Sequence, residues 1–238
     1  MIKPIAHIYT DFNERFGIPR QPGLIKGLQG LIVFDEEFRD PNAIKGINEF
    51  SHLWLIWDFS ETCIDMSETP VKWSSTVKPP RLGGKESRGV FATRSPYRPN
   101  SLGLSSVKLV KAEISKSQGP ILIVEGADIL NGTAIFDIKP YIPYSDSHPD
   151  ASEGFAVSEA HSIDVIFPEG LLKKVSPEKQ EALIGVLRQD PRGAYEKQPG
   201  YVYGLNFADY DIRFTVEGNT LTVFDVVSRT SDFTKVKS

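Results

Sequence analysis

The amino-acid sequence predicts a mainly β protein, in which a β-barrel is followed by a smaller α+β domain. Short runs rich in Val, Ile and Phe are separated by Gly, Pro and Asn up to about residue 140, as in strands joined by turns. Before residue 165, few stretches keep a helical period for three turns. Many short strands of this kind are typical of a barrel. The predicted strands are 30–34, 52–59, 89–93, 106–114, 121–125 and 134–138.

The predicted domain boundary separates a barrel of residues 1–145 from a smaller domain of residues 146–238. A proline-rich segment, 139–143, ends the strand-rich part, and the polar stretch 145–153 follows it. Domain boundaries commonly lie in such exposed polar segments.

Two helices and a hairpin complete the prediction. Apolar residues recur on one face of 41–50, which favours a short helix there. Ser176 as a cap, with Pro177 at the first helical position, predicts a second helix that ends near residue 190. Alternation in 212–217 and an apolar run in 221–227, joined by Gly-Asn, predict the hairpin.

The composition is that of an ordinary soluble protein: 40% of the 238 residues are hydrophobic and 24% are charged. Since no apolar run could span a bilayer and the N-terminus lacks a signal-peptide core, we expect a cytoplasmic protein with no membrane role. The single cysteine, Cys63, excludes an internal disulfide and a Cys-based zinc site. Nor do the histidines have ligand spacing, so no metal is expected. They are His7, His52, His148 and His161.

Charge is distributed unevenly along the chain. The net charge is −4, yet residues 71–98 carry seven basic side chains against one acid. This segment could form a positive patch for nucleic-acid phosphates, or it could be a solvated loop whose charges pair with acids elsewhere.

Four segments are dense in Arg, Pro, Gly and Asn, a combination that suits the rim of a binding site. Prolines stiffen loops, glycines let the backbone approach a ligand, and arginine offers a planar fork for carboxylates and phosphates. Any one of them could be a simple turn, and Asn131-Gly132 alone is an ordinary hairpin signal. Glycine-rich nucleotide motifs, G-x-S-x-G and H-E-x-x-H are absent. The four segments are 18–23, 79–84, 93–103 and 128–133, the last leading to 137–141.

In this order, the motifs resemble those of the TsaA-like (TrmO-type) family of tRNA N6-threonylcarbamoyladenosine methyltransferases. The resemblance runs nearly from end to end. It is carried by Pro-Arg-Gln-Pro-Gly at 19–23, Phe-Ser-His-Leu-Trp at 50–54, Arg-Leu-Gly-Gly at 81–84, Gly-Val-Phe-Ala-Thr-Arg-Ser at 89–95 with Arg-Pro-Asn at 98–100, Asp-Ile-Lys-Pro-Tyr at 137–141, and Gln-Asp-Pro-Arg at 189–192 followed by Ala-Tyr.

The resemblance implies a single-sheeted β-barrel methyltransferase outside the Rossmann class. It implies a homodimer that binds S-adenosylmethionine and methylates N6 of threonylcarbamoyladenosine beside the anticodon of tRNA. The chain departs from the family pattern at Ser60-Glu61, at Asn100-Ser101-Leu102-Gly103 and at Asn131-Gly132. By position, the cofactor residues are Pro19, Arg20, Gln21, Ser60, Glu61, Arg94, Leu104, Asp128, Ile129, Leu130 and Asn131.

The implied substrate sets the chemistry. The N6 lone pair is delocalised, so methyl transfer needs in-line placement. A nearby base could take the N6 proton as the bond forms, or positioning alone could supply much of the rate. Asp137 is the first candidate for this base and Tyr141 the second, although Asp137 could instead pair with Lys139 or an arginine. Other acceptors, or a noncatalytic RNA-binding barrel, remain alternatives. Candidates for the threonyl carboxylate are Arg81, Arg98 and Lys139, and for RNA phosphates Lys78, Lys85 and Arg88.

Overall fold

The barrel is closed and entirely antiparallel. The computed structural model describes residues 2–59, 73–79, 82–156, 162–192 and 200–229. The barrel strands are β1 (Ala6–Tyr9), β2 (Gln29–Phe34), β3 (His52–Asp58), β6 (Leu102–Ser115), β7 (Gly119–Glu125) and β8 (Thr133–Pro140). Around the barrel their order is β1-β2-β7-β6-β3-β8, and β8 pairs back with β1. This confirms the predicted fold class.

Strand β3 illustrates how the sequence fills the barrel. Leu53, Leu55 and Trp57 alternate with less buried residues and point into the core, as period-two alternation requires. Trp57 lies opposite Gly103 of β6, and a Cβ at Gly103 would overlap the indole ring. Glycine at this position therefore leaves the space that the tryptophan occupies.

A second unit follows the barrel. It contains the helices α2 (Glu169–Leu172) and α3 (Pro177–Arg188) and the strands β9 (Asp164–Ile166), β10 (Tyr203–Phe207), β11 (Tyr210–Glu217) and β12 (Thr220–Ser228). The short helix α1 (Pro143–Asp146) stays with the barrel, where Asp146 Oδ2 accepts from Trp54 Nε1. The sheet order is β10-β11-β12-β9, with β9 parallel to β12. Leu183 and Leu187 of α3 are fully buried in the same cluster as Phe214 of β11. Within the described residues, no helix is long and apolar enough to cross a membrane.

The helix and hairpin predicted for the second unit are confirmed, whereas two predictions in the barrel region are wrong. Of the predicted strand 89–93, only Gly89 lies in a strand, the two-residue β5 (Arg88–Gly89), and Val90–Ala92 is a 3-10 turn. Strand β5 pairs with β4 (Thr76–Val77). The segment 41–50 forms two short 3-10 helices, because Gly46 between them has a φ of 82°. The Ser176 hydroxyl makes no capping hydrogen bond.

The loop between β1 and β2, residues 10–28, connects two barrel strands and packs against the C-terminal unit. We call it the β1–β2 loop. Its residues Phe12, Ile25 and Leu28 belong to the core cluster of the C-terminal unit. The boundary at residue 145 stays a prediction, and the second core also takes in this N-terminal segment.

Candidate active site

A cavity of about 570 Å³ lies at one end of the barrel. The end of β3, the beginnings of β6 and β8, the β1–β2 loop and the segment 93–98 converge on it. Seven of the predicted cofactor residues line the cavity: Pro19, Arg20, Gln21, Arg94, Leu104, Asp128 and Leu130. Three loops that are far apart in the sequence therefore meet at one site.

Two walls of the cavity are joined by a hydrogen bond. Arg94 Nη1 donates to Gln21 Oε1, which ties the segment 93–98 to the β1–β2 loop. Arg15, Arg20 and Arg98 also line the cavity. Four guanidinium groups make the cavity attractive to carboxylates and phosphates.

Asp128 is the most buried acid of the cavity, and a chain of hydrogen bonds holds it. Trp57 Nε1 donates to Ser105 Oγ at 3.0 Å, and Ser105 Oγ donates to Asp128 Oδ1 at 2.6 Å. Burial raises the pKa of Asp128, against the opposing effects of the Ser105 hydroxyl, its own backbone and the Arg94 charge. This carboxylate can accept a hydrogen bond or face a cation in the cavity.

Asp58 is a cavity residue that the sequence reasoning missed. It ends β3 and lines the cavity, and its carboxylate has no hydrogen-bond or ion-pair partner within the described residues. Partial burial raises the pKa of its carboxyl group. The signal available in the sequence was an acid directly after the apolar run 53–57.

Two of the described cofactor candidates, Ile129 and Asn131, do not line the cavity. Ile129 is fully buried in the barrel core. Asn131 holds the β1–β2 loop, since its Oδ1 accepts from Thr10 N at 3.0 Å and its Nδ2 donates to Asn13 Oδ1 at 3.0 Å. Ser60 and Glu61, like the predicted substrate residue Arg81, lie outside the described residues.

The predicted catalytic residues lie beside the cavity rather than in its lining. In the sheet register, Asp137 of β8 faces Ile56 and Lys139 faces Trp54, so both lie on the outer face of β3 and β8. Lys139 Nζ is 2.9 Å from Asp137 Oδ2. The Tyr141 ring packs against Trp54 at 5.6 Å between centroids. Trp54 lines the cavity and so links it to this outer face.

The predicted phosphate-binding residues surround the β4–β5 hairpin. Lys78 and Lys85 make no ion pair with any described residue, whereas Arg88 pairs with Glu86 at 2.7 Å and lies over the Phe155 ring at 5.8 Å. Within the part of the chain that the structure describes, no group of His, Cys, Asp and Glu could hold a metal ion.

Comparison with known proteins shows the family. Residues 7–147 match the profile of the tRNA-methyltransferase O N-terminal domain, and residues 160–229 match that of the TrmO C-terminal domain. The chain belongs to the tRNA-methyltransferase O family. As a member of this family it is a tRNA methyltransferase, which agrees with the enzyme class predicted from the motifs.

Relatives in the tRNA-methyltransferase O family resemble the chain over nearly its whole length. The tRNA (adenine(37)-N6)-methyltransferase of Escherichia coli K12 is 37% identical over 234 residues, 94% of this chain and 97% of the relative. A putative S-adenosylmethionine-dependent methyltransferase, RcsF, of Pseudomonas aeruginosa is 37% identical over 221 residues, 90% and 91% of the two chains. A crystal structure of TrmO from P. aeruginosa superposes with a TM-score of 0.76 at 32% identity and 96% coverage of both chains. The likeness therefore includes the barrel and the C-terminal unit.

Proposed function

We propose that this protein transfers the methyl group of S-adenosylmethionine to N6 of threonylcarbamoyladenosine in tRNA. The proposed position is 37, the one given in the name of its E. coli relative. The observation that most supports the proposal is the cavity at the barrel end. Seven predicted cofactor residues meet there, and the lining as a whole includes two carboxylates and four arginines.

The chemistry of the cavity fits S-adenosylmethionine, which carries a carboxylate, an ammonium group, ribose hydroxyls and an adenine ring. Arg20 and Arg94 suit the carboxylate, and Asp58 and Asp128 suit the ammonium group or the hydroxyls. Trp57 offers an apolar aromatic surface. The volume of about 570 Å³ lies within the usual range for small-molecule sites, about 300–1,000 Å³. When bound, this cofactor supplies an electrophilic methyl group on a sulfonium sulfur.

The acceptor nucleoside is proposed to lie on the outer face of β3 and β8, next to the cavity. Trp54 forms the border between the two, and its position is fixed because Nε1 donates to Asp146 Oδ2 at 2.9 Å. Lys139 and Asp137 follow on the same face, one strand across. An adenine on this surface would stack near Trp54 and Tyr141.

Two side chains on this face have the chemistry that the substrate needs. Lys139 can pair with the threonyl carboxylate, and Arg98 can approach it from the cavity wall. Asp137, released from Lys139 by this competition, would accept the N6 proton while the methyl group leaves the sulfonium sulfur for N6, so that S-adenosylhomocysteine is the leaving group. Tyr141 orients the adenine ring by stacking contact.

Lys78, Lys85 and Arg88 are proposed to contact phosphates of the anticodon stem. Such contacts position the RNA without reading its sequence. They lie in a basic segment that continues directly into the cavity wall at Thr93 and Arg94.

The proposal is tested with labelled S-adenosylmethionine and two preparations of tRNA, one carrying threonylcarbamoyladenosine and one from cells unable to make it. Label recovered as the N6-methylated nucleoside only from the modified tRNA is expected. Equal labelling of both preparations would reject the threonylcarbamoyl substrate. No labelling despite measured cofactor binding would favour a different acceptor.

The enzyme is proposed to act in the cytoplasm as a homodimer, as the family resemblance implies. Light scattering at micromolar concentration measures the assembly directly. A mass near 26.5 kDa, that of one chain, would contradict the dimer.

A further inference from the structure

The β1–β2 loop contributes to the cavity but is buried in the C-terminal unit. Phe12 and Ile25 are 1% and 4% exposed and belong to the cluster that contains Leu183 of α3 and Leu205 of β10. Between these two anchors, Pro19, Arg20 and Gln21 cross the cavity wall. The position of the cavity wall at residues 19–21 therefore depends on the C-terminal unit, none of whose described residues lines the cavity.

Polar contacts reinforce the connection. Lys179 Nζ of α3 donates to both carboxylate oxygens of Asp11, at 2.7 and 2.6 Å, and the two side chains are 27% and 12% exposed. Glu14 Oε1 accepts from Asn206 Nδ2 at 2.7 Å. A charge pair this far buried resists separation, because each partner would be left without compensation.

Close packing fixes the loop against α3. Gly185 faces Ile25, and a Cβ at Gly185 would lie 2.5 Å from Ile25 Cγ2. Since protein interiors are close-packed, even a methyl group added at Gly185 would displace the β1–β2 loop. The opposite side of the loop is bound to the barrel, where Gly23 N donates to Gly126 O at 2.8 Å.

We propose that the C-terminal unit positions the cofactor-binding wall, with Lys179 and Gly185 acting through the β1–β2 loop on cofactor affinity. The inference rests on the proposed use of S-adenosylmethionine. Lys179 and Gly185 are positioning residues, since they touch the loop and do not line the cavity.

The main test substitutes Gly185→Ala, with Gly170→Ala of α2 as the matched control because nothing lies within 4 Å of a Cβ there. We expect Gly185→Ala to raise the dissociation constant of S-adenosylmethionine about tenfold in calorimetry, since small misplacements of binding groups weaken a site strongly. At saturating cofactor, the KM for tRNA should change less than twofold. An unchanged dissociation constant, or the same rise in Gly170→Ala, overturns the proposal.

A second test works without the cofactor. Mass spectrometry follows the rate of trypsin cleavage after Arg20 in the unliganded protein, and Asp11→Asn/Lys179→Met removes the ion pair without leaving a buried charge. Faster cleavage there, at an unchanged rate after Lys116 in the barrel, supports the proposal, and an unchanged rate after Arg20 overturns it. If the wild type binds no S-adenosylmethionine, the proposed function fails, while the cleavage rate still measures the role of the C-terminal unit.

A separate observation concerns an exposed aromatic pair. Trp73 and Phe91 are 43% and 71% exposed, and their rings lie 5.7 Å apart at 34°. Val90, next to Phe91, is 1% exposed and its N–H donates to Ser75 O at 2.9 Å. This anchoring keeps the Phe91 ring on the surface.

The surroundings of the pair favour RNA as its partner. The pair flanks the β4–β5 hairpin with Lys78, Lys85 and Arg88, and Thr93 of the cavity wall follows two residues after Phe91. Basic side chains beside aromatic rings form the usual platform for unpaired bases. We infer that Trp73 and Phe91 stack an unpaired nucleotide of the tRNA, an inference that rests on the proposed function.

The test compares Phe91→Ala and Trp73→Ala with Phe224→Ala, a control at an aromatic residue of β12 that is 47% exposed. We expect about a tenfold rise in the dissociation constant for tRNA in both variants, little change in the control, and rescue by Phe91→Tyr. Unchanged tRNA binding overturns the inference, as does a shift from dimer to monomer in light scattering, which would assign the pair to a second copy. Binding is measured directly, so absence of methylation in the wild type rejects the proposed function without deciding this test.

Discussion

The Ser105 hydroxyl donates a 2.6 Å hydrogen bond to Asp128 Oδ1 in the wall of the cavity. The Ser105 oxygen also accepts from Trp57 Nε1, so a barrel residue sets the position of a cavity carboxylate. Ser105 is 1% exposed, and water cannot replace it without rearrangement.

Ser105→Ala should weaken cofactor binding and shift its pH dependence. The hydroxyl opposes the effect of burial on Asp128, so its removal raises the pKa of that carboxyl group further. The acid limb of cofactor affinity should then move to higher pH, as calorimetry across a pH series would measure. The buried Trp57 N–H loses its acceptor, at a cost of about 1–3 kcal/mol in the free energy of unfolding. Ser106→Ala, on the outer face of the same strand, is the control, and equal shifts in both variants contradict the prediction.

Asp128→Asn should stabilise the fold while it weakens the site. A carboxyl group whose pKa is raised by folding binds its proton more tightly in the folded state, so its ionised form costs stability above that pKa. At pH 7 the variant should melt about 2 °C or more above the wild type. The difference should shrink as pH falls through the raised pKa, because the wild-type group becomes neutral. Melting curves at several pH values check this, with the exposed Asp164→Asn as control; a gain that persists at low pH would reject the explanation.

The barrel strands could be predicted because their signal is local. In β3 five consecutive residues, 53–57, are apolar, and this run marks the strand although every second residue of it is less buried in the structure. Strand β1 was not predicted, since the four residues Ala6–Tyr9 are too few to establish a period. Helix 41–50 failed because one glycine with positive φ interrupts an otherwise suitable face.

The site was only partly predictable, because some of its residues lie in local motifs and others depend on contacts between distant parts of the sequence. Arg20, Arg94 and Asp128 could be assigned to one site because each lies in a motif that resembles the family pattern. The role of Asn131 in holding Thr10 depends on residues 121 positions apart, which no local pattern encodes. Asp58 was missed because the cavity that it lines is completed by the segment 93–98 and by residues 128–133, which are distant in the sequence.

Removal of the hairpin lysines should weaken tRNA binding without affecting the cofactor. For each phosphate that a protein no longer neutralises, the slope of log affinity against log salt falls by about 0.7–0.9. Lys78→Ala/Lys85→Ala should therefore lower the slope by about 1.4–1.8 if both lysines bind phosphate. Filter binding over a salt series measures it, and Lys116→Ala, an exposed lysine in the β6–β7 turn, is the control. An unchanged slope would place the RNA elsewhere.

Asp137→Asn tests whether the acid on the outer face of β8 takes the N6 proton. If it does, kcat should fall about 10²–10⁴-fold, the usual contribution of a general base, while the dissociation constant of S-adenosylmethionine stays the same. Lys139→Met separates this role from the ion pair that the two residues form. It should mainly raise the KM for threonylcarbamoyladenosine-containing tRNA, because Lys139 is the proposed partner of the threonyl carboxylate. An exposed ion pair contributes only about 0.2–1 kcal/mol, so similar losses below about fivefold in both variants would mean that Asp137 does no more than pair with Lys139.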